Sequence, residues 1–231
     1  MEQATNTLFP VFLKTDKAKF LIVGGGNVGL EKAETLIRQN PNVDLTIVAL
    51  EIYPKLKNFL EQHPQIKTEI RGFEESDLDN VDFVITATND RTVNAEIKYL
   101  ANLRNILVNA ADQPELCDFY LGSIVKKGNL KIAISTNGKS PVLARRMREY
   151  LEEALPENLN ESISALNEYR NTLKGDFNDK LNKLNKVTQN LQKTKPNKKF
   201  KNVTVVILFL GFMIGYFLAS IMPIKQIIEY F

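Results

Sequence analysis

The sequence has few soft metal ligands: one cysteine, Cys117, and one histidine, His63, stand among 231 residues, and tryptophan is absent. A lone thiol closes no internal disulfide, and a structural zinc site takes four Cys or His ligands, so a secreted disulfide scaffold and a zinc enzyme are both excluded. No metal-ligand set is expected. Charge of one sign is scarce as well, because 30 Lys and Arg against 27 Asp and Glu leave a net charge of +3. That excess is too small to point to nucleic acid, and none is expected as a partner. The first residues, MEQATNTLF, hold no basic region followed by an apolar one, so no signal peptide is expected.

The small basic excess is concentrated in one segment. Between positions 156 and 202 there are ten Lys or Arg against five Asp or Glu, and residues 203–222 then run VTVVILFLGFMIGYFLASIM without a formal charge. At about 1.5 Å per residue such a run covers about 30 Å of hydrocarbon, which predicts a single C-terminal transmembrane helix. Lysines crowd its N-terminal side, Lys193, Lys195, Lys198, Lys199 and Lys201 among them, while Lys225 alone follows. The expected protein is therefore a cytoplasmic catalytic domain anchored to a membrane by its C-terminus. Gly211, Gly215 and Ala219 recur every fourth residue, a spacing that lets two such helices pack closely or simply faces lipid.

The rest of the chain alternates short β-rich runs with amphipathic stretches of helical length. Strands are expected at 20–24, 43–48, 67–71, 82–87 and 105–109, with helices at 28–39, 53–62 and 92–103 between them. This is the grammar of an α/β fold, a Rossmann-like doubly wound parallel sheet over residues 1–112. After Asp112 the pattern changes. Runs at 119–125 and 130–136 flank a connection at 126–129, predicting a hairpin, and Ser140 followed by Pro141 opens a helix reaching about residue 154. Residues 113–155 thus form a small α+β module. An amphipathic helical region at 156–192, a basic linker at 193–202 and the span at 203–222 complete the expected organisation.

The sharpest chemical signal is Gly24-Gly25-Gly26-Asn27-Val28-Gly29, a complete G-x-G-x-x-G where the first strand meets the first helix. In that context the first glycine permits a tight turn, the second lets backbone approach a pyrophosphate and the third lets helix pack on strand. Dinucleotide binding is expected through Gly24, Gly26, Asn27, Val28 and Gly29. The acidic partner of a ribose belongs at the end of the second strand, where Glu51 is nearest; a solvent-facing helix cap is an equal role for it. No arginine stands nearby to receive a 2′-phosphate, which favours NAD. Thr88, in the loop beyond the fourth strand, should also meet the cofactor.

Asn109-Ala110-Ala111-Asp112 ends the fifth strand. A carboxylate at the lip of that cleft can accept a proton as hydride leaves, or it can cap its own turn, and both roles are open to Asp112. The segment from Ser135 to Arg146 brings hydroxyls and glycine into a helix start followed by arginines. Ser135, Thr136, Lys139, Ser140 and Arg145 could cradle a substrate with several carboxylates, or they could be an ordinary capped surface helix.

Taken together, GGGNVGLEKAETLI, TATNDRTVN, NAAD and ISTNGKSPVLARRMRE, in this order and spacing, resemble the precorrin-2 dehydrogenase family, the dehydrogenase half of siroheme synthase and its stand-alone relatives. The resemblance covers about residues 8–155. It implies a homodimer in which 113–155 serves dimerisation, with precorrin-2 oxidised to sirohydrochlorin, NAD as acceptor and Asp112 as base. Some relatives also insert ferrous iron, so sirohydrochlorin ferrochelatase activity, in addition or instead, is a further implied possibility. A membrane-tethered dinucleotide sensor without chemistry is the reading from a different class. The sequence departs from the family at Gly122, where many relatives carry proline, in lacking the methyltransferase half and in the expected anchor.

Overall fold

The computed structural model describes residues 6–193. Its core is a five-stranded parallel sheet of β1 (Lys19–Val23), β2 (Asp44–Ala49), β3 (Lys67–Ile70), β4 (Phe83–Thr86) and β5 (Leu107–Ala110), in the spatial order β3-β2-β1-β4-β5. Three helices make the crossovers: α1 (Asn27–Gln39), α2 (Pro54–Glu61) and α3 (Arg91–Leu103). Successive strand side chains point to opposite faces, and both faces are covered over β1, β2 and β4, which is why these strands read as near-continuous apolar runs, whereas the edge strand β3, KTEI, is mostly exposed. Phe20 and Ile22 of β1 pack with Leu36 and Ile37 of α1 and Leu56 of α2. Leu21 and Val23, on the other face, pack with Ile97 and Ala101 of α3. The expected Rossmann-like parallel sheet is therefore present.

The module after β5 differs from expectation in detail. β6 (Ser123–Lys127) and β7 (Leu130–Ile134) pair antiparallel as a separate two-stranded sheet, with Lys126 opposite Lys131 and Lys127 opposite Leu130. The lysines expected in the connection extend the ladder instead, leaving a two-residue turn of Gly128 and Asn129, with Gly128 at φ +55°. Ser140 caps α4 (Pro141–Ala154) by accepting the Leu143 N–H at 3.3 Å. One aromatic contact fastens the chain beyond β5 to the sheet: Phe119 stands edge-on at 5.7 Å to Phe83, which is itself stacked on Phe20 of the neighbouring strand at 4.9 Å. A second unit starts at Asn158 and contains α5 (Leu159–Thr172) and α6 (Phe177–Lys193).

Three expectations need correction. The run 203–222 lies outside the described residues, and among the described residues no helix is long and apolar enough to cross a membrane. Even the 17-residue α6 carries Asp179, Lys180, Lys183, Lys186 and Lys193 along its length. The transmembrane helix therefore leaves the fold class, and membrane anchoring leaves the partner and localisation assignments. The homodimer is corrected too, as an assignment that nothing supports: the contacts described for the module assigned to dimerisation lie within its own chain. There β6 pairs with β7, α4 lies against β6, Val125 is fully buried, and Lys126 Nζ donates to the Arg38 carbonyl at the end of α1 at 3.0 Å.

Beyond β3, Arg71 is held bidentately by Asp77 at 2.7 and 2.9 Å, and the Glu74 N–H donates to the same carboxylate at 2.8 Å. Burial pushes the Asp77 carboxyl up, but the hydrogen bonds from Arg71 and Glu74 and the charge of Arg71 together outweigh it and hold the carboxyl below its ordinary value. A carboxyl depressed in the folded state stabilises above its unfolded value, and that stability is lost as pH falls through the folded value. Asp77→Asn should therefore lower the urea midpoint at neutral pH, with the gap to wild type closing as the solution is acidified. A gap independent of pH would contradict this.

Candidate functional site

The strand register levels the carboxyl ends of the sheet. Val23 stands opposite Val48 on one side and Thr86 on the other, and Thr86 stands opposite Ala110. The ladder continues one residue past each strand, as Gly24 N–H donates to Val48, Ala87 N–H to Val23 and Ala111 N–H to Thr86, at 2.9, 2.7 and 2.9 Å. Three loops therefore leave the sheet side by side. They do so across the β1–β4 junction, where strand order reverses and ligands of doubly wound sheets bind.

The glycine loop fits there because it lacks side chains. Gly24 takes φ +129°, and a Cβ on it would lie 2.4 Å from the Ala87 carbonyl oxygen. A Cβ on Gly29 would lie 2.2 Å from the Gly24 oxygen, and one on Gly25 only 2.0 Å from the Glu51 oxygen. The requirement at Gly25 falls outside the G-x-G-x-x-G template, although the run of three glycines is its trace in the sequence. The Tyr53 N–H donates to the Gly25 carbonyl at 2.9 Å and ties the loop after β2 to the same place.

Gly26 is different, since a Cβ there would meet nothing nearer than Tyr53 at 4.0 Å. It is also the N-cap of α1 and supplies no capping side chain, and the first turn of that helix holds no acidic residue. Free amides, a favourable helix dipole and open space at Gly26 suit the pyrophosphate of a dinucleotide. Asn27 is exposed at this helix start, and Glu51 is exposed two residues beyond β2.

A cavity of about 150 Å³ joins the three loops, lined by Val28, Ala87, Thr88, Asn89, Arg91, Ala111, Asp112 and Gln113. Thr88 reaches it, but its hydroxyl serves the loop, donating to Asn94 Oδ1 at 2.7 Å and accepting the Asp90 N–H at 3.2 Å. Fully buried Asn94 returns a bond to the Thr88 carbonyl at 3.1 Å. Asp112 lies at φ +58°, exposed, and its carboxylate accepts no hydrogen bond among the described residues, so it does not cap its own turn.

Cys117 holds that turn. Its sulfur accepts the Ala110 N–H at 3.2 Å and lies 3.2 Å from the Ala110 oxygen and 3.4 Å from the Gln113 oxygen, within reach for donation. Burial pushes the thiol up, so it stays protonated and able to donate. Asp118 adds a second tie, accepting the Val108 N–H at 2.9 Å while paired with Lys98. No local pattern in the sequence signals these bonds, which join residues four to twenty apart.

The five residues expected to bind substrate lie outside this cavity's lining. Ser135 accepts the Asn137 N–H and Thr136 the Ser140 N–H, both at 3.1 Å, and Ser140 is the helix cap described above. Their hydroxyls therefore shape the turn into α4. Arg145 pairs with Glu149 at 3.5 Å on the surface, and the Lys139 side chain has no partner among the described residues. A larger hollow of about 770 Å³ belongs to the helical unit, lined by Arg170, Asn171, Phe177, Lys180, Leu181 and Leu184, and contains no carboxylate.

Comparison with known proteins is consistent with this geometry. An NAD(P)-binding family model matches residues 11–123, and a model for the central part of sirohaem biosynthesis proteins matches residues 127–154. The siroheme synthase of Tolumonas auensis is 36% identical over 170 residues, 74% of this chain and 35% of that protein. That of Hydrogenovibrio crunogenus is 38% identical over 176 residues, 74% of this chain and 36% of that protein. The chain belongs to the siroheme-synthase family. It spans about a third of the length of these relatives, as a precorrin-2 dehydrogenase-like NAD-binding domain. A solved precorrin-2 dehydrogenase, SirC, superposes with a TM-score of 0.61 at 27% identity, covering 78% of this chain and 89% of that one. NAD is the cofactor of this domain.

Two glycine variants separate folding from binding. Gly26→Ala should leave the thermal midpoint unchanged and weaken NAD binding, measured by calorimetric titration, at least about tenfold, or ~1.4 kcal/mol. Gly25→Ala should lower the thermal midpoint as well. Wild-type NAD affinity in Gly26→Ala would show that the pyrophosphate lies elsewhere.

Proposed function

We propose that this protein oxidises precorrin-2 to sirohydrochlorin with NAD as acceptor, Asp112 serving as the general base. The observation that carries the reading is the Asp112 carboxylate, unpartnered among the described residues, lining one cavity with Val28 of the glycine loop and the loop after β4. Bound NAD supplies the acceptor for the hydride that leaves the macrocycle. Asp112 takes the proton lost from the same substrate, so two electrons and one proton pass to the nucleotide and one proton passes to the carboxylate. Gly24, Gly26, Asn27, Val28 and Gly29 hold the pyrophosphate, Glu51 faces the ribose, and Thr88 keeps the loop after β4 in place. Cys117 and Asp118 fix the backbone from which Asp112 projects.

The substrate is a tetrapyrrole rimmed with carboxylates, which calls for cations around the cleft and few groups at the ring. In this reading Lys139 and Arg145 meet the rim while Ser135, Thr136 and Ser140 shape their loop. Ferrochelatase activity and a non-catalytic dinucleotide sensor are the rival readings, and one assay separates all three.

Purified protein given precorrin-2 and NAD should form reduced nicotinamide, without dependence on ferrous iron. Asp112→Asn should bind NAD as wild type does while kcat falls by about 10²–10⁴-fold. Wild-type turnover in that variant removes the base assignment. NAD binding without any turnover of precorrin-2 by the wild type favours the sensor, and iron insertion without NAD favours the chelatase.

A further inference from the structure

Arg91 and Asp112 are the charged residues in the lining of the 150 Å³ cavity. Arg91 is the first residue of α3, exposed, and its guanidinium makes no ion pair or hydrogen bond among the described residues. Its neighbour Asp90 is occupied as the helix cap, accepting the Thr92 and Val93 N–H groups at 2.8 and 3.2 Å. Local stability does not explain a cation at this position. The N-terminal end of a helix dipole is positive and favours an acidic side chain in the first turn, yet that turn of α3 holds none. An arginine with no partner among the described residues is thus kept where the helix disfavours it, in the lining of a cavity whose other charged residue is Asp112.

We propose that Arg91 recognises one carboxylate of the macrocyclic substrate and thereby orients the ring toward Asp112, an inference that rests on the reading of the cavity as the dehydrogenase site. The planar guanidinium fork matches a carboxylate bidentately, and Arg91 lines the same cavity as the group that takes the proton. An anion could also come from the dinucleotide, but the cradle for its pyrophosphate is the uncapped start of α1, a different helix. Lys139 and Arg145 do not line this cavity, so Arg91 supplies the one cationic contact among the described residues that line it.

The test compares Arg91→Ala and Arg91→Lys with wild type in full-length protein, using three readouts: NAD affinity, sirohydrochlorin affinity by fluorescence titration, and the KM and kcat for precorrin-2. Arg91→Ala should keep its thermal midpoint and NAD affinity, bind sirohydrochlorin about ten- to a hundredfold more weakly and show a matching rise in KM, with Arg91→Lys in between. Weaker NAD binding with unchanged tetrapyrrole binding would overturn the proposal and assign Arg91 to a phosphate. Unchanged values throughout would also overturn it. If wild type binds sirohydrochlorin and Arg91→Ala loses it while neither oxidises precorrin-2, the dehydrogenase reading fails and the recognition role stands. A wild type that binds no tetrapyrrole overturns both.

Discussion

The carbonyl oxygens of Ala87, Glu51 and Gly24 come so near the glycine loop that side chains at Gly24, Gly25 and Gly29 would collide with backbone. Backbone, unlike the far end of a flexible side chain, cannot swing aside. The loops after β1, β2 and β4 can therefore converge at one edge of the sheet only around bare Cα atoms. This close approach brings the start of α1 next to the loop after β4, and the even register of β1, β4 and β5 then adds the turn that carries Asp112.

The same economy appears on the β5 side. Asp112 adopts a left-handed backbone conformation that costs a side-chain-bearing residue about 1–2 kcal/mol. The sulfur of Cys117 on Ala110 and the carboxylate of Asp118 on Val108 brace the chain on either side of that turn. Strain at one residue is offset by bonds from residues several positions away, and the Asp112 carboxylate is left unpaired and facing the cavity. On the other wall, Asn94 and Thr88 lock the loop in a similar way, so the polar groups nearest the cleft are divided between those that hold the loops and two charges that do not.

Sequence periodicity made the parallel sheet legible because both faces of its middle are buried, so β1, β2 and β4 read as apolar runs, while the exposed edge strand β3, KTEI, does not. The G-x-G-x-x-G template located the loop after β1 but undervalued Gly25, whose constraint comes from Glu51 in a neighbouring loop. Hydroxyls at Ser135, Thr136 and Ser140 read as ligands in the sequence, and in the structure each accepts a backbone N–H of its own turn, a role that composition does not reveal. Arg91 carries no signal in the sequence, because its meaning depends on what lines the same cavity. The hairpin turn is shorter than its sequence suggests, since Lys126 and Lys127 carry no β signature and enter the ladder through their partners on β7. The anchor was inferred from hydropathy of a run that lies outside the described residues, and the described helices supply no membrane element.

Amide hydrogen exchange of the full-length protein, with and without NAD, tests the convergence of these loops most directly. The account expects NAD to slow exchange together at 24–29, at 87–91 and at 111–113, with α5 and α6 unaffected. Protection confined to the helical unit, or sparing 111–113 while NAD is bound, would contradict a shared site for the nucleotide and Asp112.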